Sequence, residues 1–238
     1  MIPHSHRPPI HLEEVGSTND WVREQRAMLE DGQWVVADRQ TAGRGRLGRQ
    51  WMAAGGNFTG SCLLRPRDGE TPAHLLSFVA ALALFDCVRP LLPHARLELK
   101  WPNDLLLEGG KLSGILLEAE GAVVVLGIGL NLAHAPAVEG RLVSSVRDHG
   151  GTVVVPMLFA ARLAEAMDRR RMQWRASGFA AVRADWLARA HPLGTPLAVM
   201  QNGARVEGRF AGLEADGALL LDVAGGRLLV HAGDVFTA

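Results

Sequence analysis

The loop at residues 43–48, GRGRLG, combines the residue types best suited to chemistry in this sequence. Arg44, Arg46 and Arg49 place three guanidinium groups within six residues. The intervening glycines let the backbone approach a ligand closely, and guanidinium groups bind carboxylates and phosphates through paired hydrogen bonds. The loop therefore predicts a site that holds a carboxylate and a phosphate together. A solvated basic turn is the alternative, but Trp51 and the apolar flanking segments argue against it.

The same loop matches the dinucleotide-binding pattern G-x-G-x-x-G and follows an apolar segment. That pattern binds a pyrophosphate only where a helix begins at the loop. Gly55 and Gly56 begin seven residues after Gly48, which leaves no room for such a helix. We therefore exclude a dinucleotide-binding domain of this type.

Lysine is rare in this chain: of 25 basic residues, only Lys100 and Lys111 are lysines. A lysine retained in an arginine-rich chain can mark a place where a compact ammonium group is needed and a planar guanidinium does not fit. Chance placement explains the pair equally well at this point. Lys111 is the better candidate for chemistry because Lys100 can also be structural.

Four short segments besides the loop carry polar residues that are candidates for a binding site. Each has an ordinary explanation, since Ser-Thr-Asn can cap a helix and the others can form turns or strand ends. Ser17, followed three residues later by Asp20, resembles a capping box and predicts a helix over residues 19–30. The segments are Ser17-Thr18-Asn19, KWPND at 100–104, GKLSGILLE at 110–118 and GIGLNL at 127–132.

Composition limits the possible function classes. The formal net charge is zero, so the chain is not built mainly to coat DNA or an anionic membrane. With only two cysteines, the chain has neither a disulfide framework nor a cysteine-rich metal site. We predict no metal site formed by the protein's own side chains. No run of 18 apolar residues is present, which predicts a cytoplasmic protein without a membrane span.

Hydrophobic periodicity predicts an α+β domain followed by a small all-β domain. The predicted domains are residues 1–190 and 191–238. A basic run at residues 169–171 is expected to be a solvated helix face, with use by the carrier domain or by another subunit as the alternative. Predicted strands are 10–15, 33–38, 57–64, 96–100, 104–107, 112–119 and 122–130, with helices at 71–89 and 156–190, the latter broken near Gly178. Four short strands, 196–200, 205–213, 218–223 and 227–231, predict a small barrel.

Taken in this order, the five segments resemble the catalytic core of biotin–protein ligases, over residues 10 to about 133. The resemblance implies a class II aminoacyl-tRNA-synthetase-like catalytic domain, a mixed sheet flanked by helices, and a small C-terminal SH3-like β-barrel. Because the motifs begin at Ser17, it also implies a short form without the N-terminal DNA-binding domain of the repressor members.

The implied reaction joins biotin to ATP as biotinoyl-5′-adenylate and transfers the biotinoyl group to a lysine of the biotin carboxyl carrier protein of acetyl-CoA carboxylase. Magnesium would accompany the nucleotide. The resemblance assigns catalytic roles to Lys111, Arg46 and Asp104, although a turn-capping role for Asp104 is equally possible. The expected partner is the carrier, without DNA or membrane, and the chain is expected to be a monomer or a homodimer.

The resemblance also implies two sets of ligand-binding residues. The biotin-binding set is Ser17, Thr18, Asn19, Gln40, Gly43, Arg44, Gly45, Arg46, Lys111 and Gly114. The set for ATP or the adenylate is Arg44, Arg46, Arg49, Trp51, Asn103, Lys111 and Asn131.

Two other functions remain as alternatives. A lipoate–protein ligase would share the fold and the acyl-adenylate chemistry, but its Arg-Arg-x-x-Gly-Gly-Gly segment is not found here. A non-catalytic biotin-sensing module would bind the vitamin without transferring it.

Overall fold

The computed structural model describes residues 7–52, 54–201 and 204–237, which form two sheets and three α-helices. The strands of the first sheet are β1 Ile10–Val15, β2 Trp34–Gln40, β3 Phe58–Leu64, β4 Leu97–Lys100, β5 Asp104–Leu107, β6 Gly110–Glu120 and β7 Val123–Leu130. The helices are α1 Thr18–Glu24, α2 Leu76–Val88 and α3 Pro156–Leu187. The second sheet contains β8 Pro196–Gln201, β9 Ala204–Leu213, β10 Leu219–Val223, β11 Gly226–Val230 and β12 Val235–Thr237.

The first sheet has the order β1-β2-β3-β7-β6-β5-β4 and is mixed, because β1 and β2 are parallel and the other pairs are antiparallel. Side chains alternate between its two faces. Trp34 and Val36 of β2 pack into the main core with α2 and α3, whereas Val35 packs on the opposite face with Val22 of α1. Since α1 is short, part of that second face stays free for a site.

The first helix is shorter than predicted, because α1 ends at Glu24 and not near residue 30. The predicted capping box is wrong as well, since Ser17 occupies the N-cap position without a side-chain capping bond. The predicted break in the long helix is confirmed: Gly178 has a φ of 71° inside α3. The remaining predicted elements of the first sheet are present with small shifts at their ends.

The second sheet is antiparallel with the order β11-β10-β9-β8-β12. It is consistent with the predicted SH3-like domain but is an open sheet and not a closed barrel. Strand β12 is three residues long and was missed in the sequence; among the described strands it pairs only with β8. The Trp101 indole, in the turn after β4, donates a 3.0 Å hydrogen bond to the Gly217 carbonyl in the turn before β10, so the two parts of the fold are in direct contact.

One helical stretch of the described chain, Ala73–Leu91, has the length and mean hydropathy of a membrane-spanning helix. It contains α2, and 67% of it is buried within the fold. Leu76, Leu82 and Leu84 are fully buried among the residues of the main core. The stretch therefore has the character of a core helix.

The prediction of a solvated arginine face at residues 169–171 is wrong for two of the three residues. Arg171 is 3% exposed and binds Glu70 and Asp31 at 2.7 and 3.0 Å. Arg170 binds Asp86 at 2.7 Å. These partners come from segments far away in the sequence, so helical periodicity alone does not reveal them.

Candidate active site

A shallow trough crosses the free face of the first sheet where glycines replace side chains. Gly114 of β6 pairs directly with Gly129 of β7, and Gly127 lies on the same face two residues earlier. A Cβ atom on Gly127 would overlap the Asn19 amide, and one on Gly129 would overlap the Trp51 indole. Glycine is therefore required at both positions, and the trough continues into a central cavity of about 50 Å³.

Polar side chains from α1, β2 and β3 form one end of this cavity. The amide and the hydroxyl of Thr18 donate to Gln40 Oε1 at 2.7 and 3.0 Å. Ser61 Oγ lies 2.7 Å from Thr18 Oγ1 and 2.6 Å from Asn19 Oδ1. Ser17, Thr18 and Asn19 are each 4% exposed. This end can bind a neutral ligand that has both donors and acceptors.

Lys111 lies at the opposite end, next to a β-bulge. The β5–β6 register shifts between Leu105 and Leu106, and this bulge re-aims the neighbouring side chains. The Lys111 ammonium donates to Asp104 Oδ1 at 2.6 Å and lies 6.0 Å from the centre of the Trp51 ring. Both members of the pair are mostly buried, with exposed fractions of 26% and 14%.

Two further cavities adjoin the central one at Lys111. A cavity of about 240 Å³ is lined by basic groups, Arg49, Lys100, Lys111 and Arg141, together with Asn103 and Asp104. Burial lowers the pKa of Lys100. A third cavity of about 110 Å³ is more apolar and is lined by Trp51, Met52, Asn131, Pro136 and Val138, and again by Lys111. Lys111 therefore lines all three cavities.

Asn131 carries an unpaired acceptor at the third cavity. Its side chain is almost fully buried and donates to the Ser144 carbonyl at 3.1 Å. Its Oδ1 atom has no hydrogen-bond partner within the described part of the chain, and neither has Trp51 Nε1. Because unpaired buried polar atoms are costly, both atoms are suited to a polar ligand.

Arg44 and Arg46 of the GRGRLG loop and Arg49 directly after it diverge, although the sequence predicts that the three act together. Arg44 is paired with Asp20 of α1. Arg46 lies 3.3 Å from Asn103 Oδ1, and burial lowers its pKa. Arg49 binds Asp234 of the second domain at 2.7 Å.

Most of the residues predicted from the sequence come together around these cavities. The central cavity is lined by Ser17, Thr18, Asn19, Gln40, Arg44, Gly45, Trp51, Asn103, Lys111 and Gly114. Arg49, Asp104 and Asn131 line its neighbours, and Gly43 lies under the Trp51 backbone. Arg46 is in a separate groove between the two domains.

Sequence reasoning missed three groups at the site: Ser61, Glu118 and Arg141. The polar pair Thr59 and Ser61 within the largely apolar strand β3 was a usable signal for Ser61. Nothing local marked the other two. No cluster of three or more His, Cys, Asp or Glu side chains suited to a metal was found within residues 7–52, 54–201 and 204–237.

Comparison with known proteins gives a consistent result. Residues 13–132 match the biotin/lipoate A/B protein ligase family, and residues 198–237 match the biotin protein ligase C-terminal domain. A biotin–[acetyl-CoA-carboxylase] ligase of Paracoccus denitrificans is 44% identical over 94% of this chain and 98% of that protein. The corresponding ligase of Mycobacterium tuberculosis is 39% identical over 93% of this chain and 86% of its own length.

Solved structures give the same fold. The biotin protein ligase of Aquifex aeolicus, in complex with biotin and ATP, has a TM-score of 0.87 at 24% identity, over 98% of this chain and all of that one. The ligase of Leishmania major, in complex with biotinyl-5-AMP, has a TM-score of 0.66 at 25% identity, over 95% of this chain and all of that one.

Proposed function

Because this chain belongs to the biotin/lipoate A/B protein ligase family, we propose that it uses ATP to activate biotin and transfers it to a carrier lysine. The relatives that match it over nearly their full length are biotin–[acetyl-CoA-carboxylase] ligases. The observation that carries the proposal is the position of Lys111, which joins a polar cavity, a cationic cavity and an apolar cavity. Those three environments match a vitamin, a phosphate chain and a nucleoside.

Biotin occupies the central cavity in this proposal. Ser17, Thr18 and Gln40 contact its ureido ring, whose carbonyl and N–H groups need both donors and acceptors. The part of the cavity lined by Gly114 accommodates the valeryl chain. This arrangement points the carboxylate toward Lys111, because the polar end and the ammonium lie at opposite ends of the cavity.

The nucleotide occupies the other two cavities. The adenine lies in the apolar one, where the unpaired Asn131 Oδ1 accepts a hydrogen bond from its amino group. The phosphates lie near Arg49 and Lys111. Magnesium, when bound, neutralises phosphate charge. It would be held mainly by the phosphates and water, since the described residues offer no ligand cluster of their own.

Two displacements complete the reaction. A biotin carboxylate oxygen bonds to the α-phosphorus while the bond to the bridging oxygen breaks, and pyrophosphate leaves. The carrier lysine, as a free amine, then attacks the acyl carbon, loses a proton and releases AMP. Lys111 stabilises the charge that develops where carboxylate and phosphate meet, and Arg46 assists from the side of Asn103.

Asp104 has its simplest role in holding Lys111. Its carboxylate accepts a 2.6 Å hydrogen bond from the ammonium and lines the neighbouring cavity of about 240 Å³. Orienting the acceptor amine is a second role that the same position permits.

The relatives favour this function over the two alternatives. The second matched region is a biotin protein ligase domain, which favours a biotin ligase over a lipoate ligase. The named relatives are ligases, which argues against a sensor without catalysis. The domain boundary at residue 190, the cytoplasmic location, the absence of a DNA partner and the monomeric or dimeric state stay predictions.

Incubation with radiolabelled biotin, ATP, magnesium and a biotin carboxyl carrier domain tests the proposed function. We expect label on the carrier that depends on ATP, and none on a carrier whose acceptor lysine is replaced by arginine. Tight biotin binding without transfer would indicate a sensor. Labelling by lipoate in place of biotin would indicate the other ligase.

A change of Gln40 to methionine is expected to weaken biotin binding about ten- to a hundredfold. The ureido ring would lose a polar partner at this buried end of the cavity, and an unsatisfied buried group costs ~1–3 kcal/mol. Calorimetric titration with biotin measures the effect. The matched control is Gln25→Met, at an exposed position beyond α1. An unchanged dissociation constant for the Gln40 variant would contradict the assignment of this polar end to the ureido ring.

A further inference from the structure

A charged cluster at the rim of the central cavity joins the GRGRLG loop to the body of the protein. Arg44 of the loop donates to both carboxylate oxygens of Asp20 in α1, at 2.7 Å for one of the bonds. Its guanidinium also lies 3.7 Å from Glu118 of β6. Arg23 binds the same two carboxylates, at 2.7 and 3.2 Å. Three separate elements are therefore linked through these four side chains.

The cluster continues inward to the polar end of the cavity. Glu118 Oε2 accepts a 2.6 Å hydrogen bond from the Asn19 amide. Asn19 Oδ1 in turn lies 2.6 Å from Ser61 Oγ, which is next to Thr18. Gly127 has no side chain that would push Asn19 out of this position. Glu118 thus connects Arg44 to the groups that face the ligand.

These contacts give Arg44 a role different from charge neutralisation. Its guanidinium faces two carboxylates, which cancel its charge locally. Hydrogen bonding from Arg44 holds the pKa of Asp20 below its ordinary value, so Asp20 stays ionised at neutral pH. Paired hydrogen bonds also restrict the geometry of the arginine. A cation held in this way is poorly placed to attract a further carboxylate and phosphate.

We propose that Asp20 and Glu118 are positioning residues that clamp Arg44 and thereby hold the GRGRLG loop closed over the bound adenylate. The inference rests on the proposed function. The other end of the loop is fixed by the Arg49–Asp234 pair, so the clamp closes the end nearest α1. A closed loop keeps water from the mixed anhydride and slows its loss. Glu118 additionally orients the Asn19 amide toward the polar end.

The experiment compares Asp20→Asn and Glu118→Gln with a matched control, Glu120→Gln. Glu120 binds Arg23 at 3.1 Å and, within the described residues, forms no hydrogen bond or ion pair with Arg44 or Asn19, so it tests for a general loss of charge in the same cluster. The wild-type enzyme and each variant are loaded with radiolabelled biotin and ATP. Loss of the radiolabelled adenylate is then followed during a chase with unlabelled substrate. Chymotrypsin cleavage at exposed Leu47 reports on loop opening, and thermal unfolding reports on stability.

In both test variants we expect the rates of adenylate loss and of cleavage at Leu47 to rise about five- to tenfold. This is the effect expected when one ion pair of a charged network is lost. The control variant should match the wild type, and all melting temperatures should stay close together. Wild-type rates of adenylate loss and cleavage in both test variants would overturn the clamp. The clamp would also be overturned if the test variants melted at a lower temperature and this loss of stability fully explained their faster cleavage.

A second comparison separates clamping from direct action of Arg44 on the anions. If Arg44 acted directly, Asp20→Asn would free it and speed pyrophosphate release, while Arg44→Gln would slow it. The clamp predicts instead that both changes raise adenylate loss, and that the double variant is no worse than either single one. Failure of the wild-type enzyme to form any adenylate would refute the proposed function, a result distinct from failure of the clamp.

Discussion

Replacement of Lys111 by arginine is expected to slow pyrophosphate release about a hundred- to a thousandfold, the cost of removing one well-placed group that stabilises developing charge. The positive charge is kept, so the loss comes from geometry. The ammonium lies in a confined place between Asp104 and the Trp51 ring, and 3.3 Å from where a Cβ of Gly114 would be. A planar guanidinium is larger and would pair with Asp104 through two hydrogen bonds. That pairing would orient the guanidinium toward Asp104 and away from the point where the three cavities meet.

Single-turnover release of pyrophosphate at saturating biotin and ATP measures this effect. Lys111→Met shows the result of losing both charge and geometry. The matched control is Lys100→Arg, the same exchange at the other lysine. Lys100 lines the cavity assigned to the phosphates but forms no ion pair within the described residues, so this variant should show at least a tenfold smaller loss. Near-normal release by the Lys111→Arg variant would contradict the requirement for an ammonium group. Chance would then suffice to explain why lysine occurs at this position.

Replacement of Arg171 by methionine is expected to lower the free energy of unfolding by about 3 kcal/mol, near the lower end of the range for a broken buried ion pair. Glu70 has no exposed surface, and its two oxygens bind Arg171 at 2.7 and 2.8 Å. Asp31 would lose its 3.0 Å bond as well. Arg175 still contacts Glu70 at 2.6 Å, which limits the loss. Urea denaturation gives the free energy directly.

Arg169→Met on the same helix is the matched control. Its side chain is 59% exposed and has one 3.9 Å pair, so the change should stay within ~0.5 kcal/mol. If the two variants were equally stable, the buried cluster would contribute nothing measurable.

The stabilisation by this cluster should disappear in acid. Burial by itself would raise the pKa of Glu70, but hydrogen bonds from Arg171 hold the pKa below its ordinary value of 4.5. A carboxyl group whose pKa is lowered by folding stabilises the protein above the unfolded-state pKa and loses that effect as the pH falls through the folded-state pKa. The difference in stability between the wild type and the Arg171 variant should therefore shrink below about pH 4.5. A difference independent of pH would contradict the assignment to this ion pair.

The secondary structure near the site was largely predictable because hydrophobic periodicity is local. Short apolar runs in β2 and β3, and the turns at Gly109 and Gly121, indicated strands that the structure contains with small end shifts. The long helix and its break at Gly178 were equally clear. The length of α1 was not, since Gln25 and the residues after it carry a helix-compatible pattern that tertiary contacts do not continue.

By itself, the sequence determined the chemical types at the site: a lone functional lysine, glycines in strands, and asparagine after a strand. The fold determined which of these meet. Arg44 pairs with Asp20, and Arg171 with Glu70 a hundred and one residues away. A run of arginines looks the same in sequence whether its partners are water or buried carboxylates. The strength of a charge interaction depends on distance and burial, and both are set by packing between distant segments.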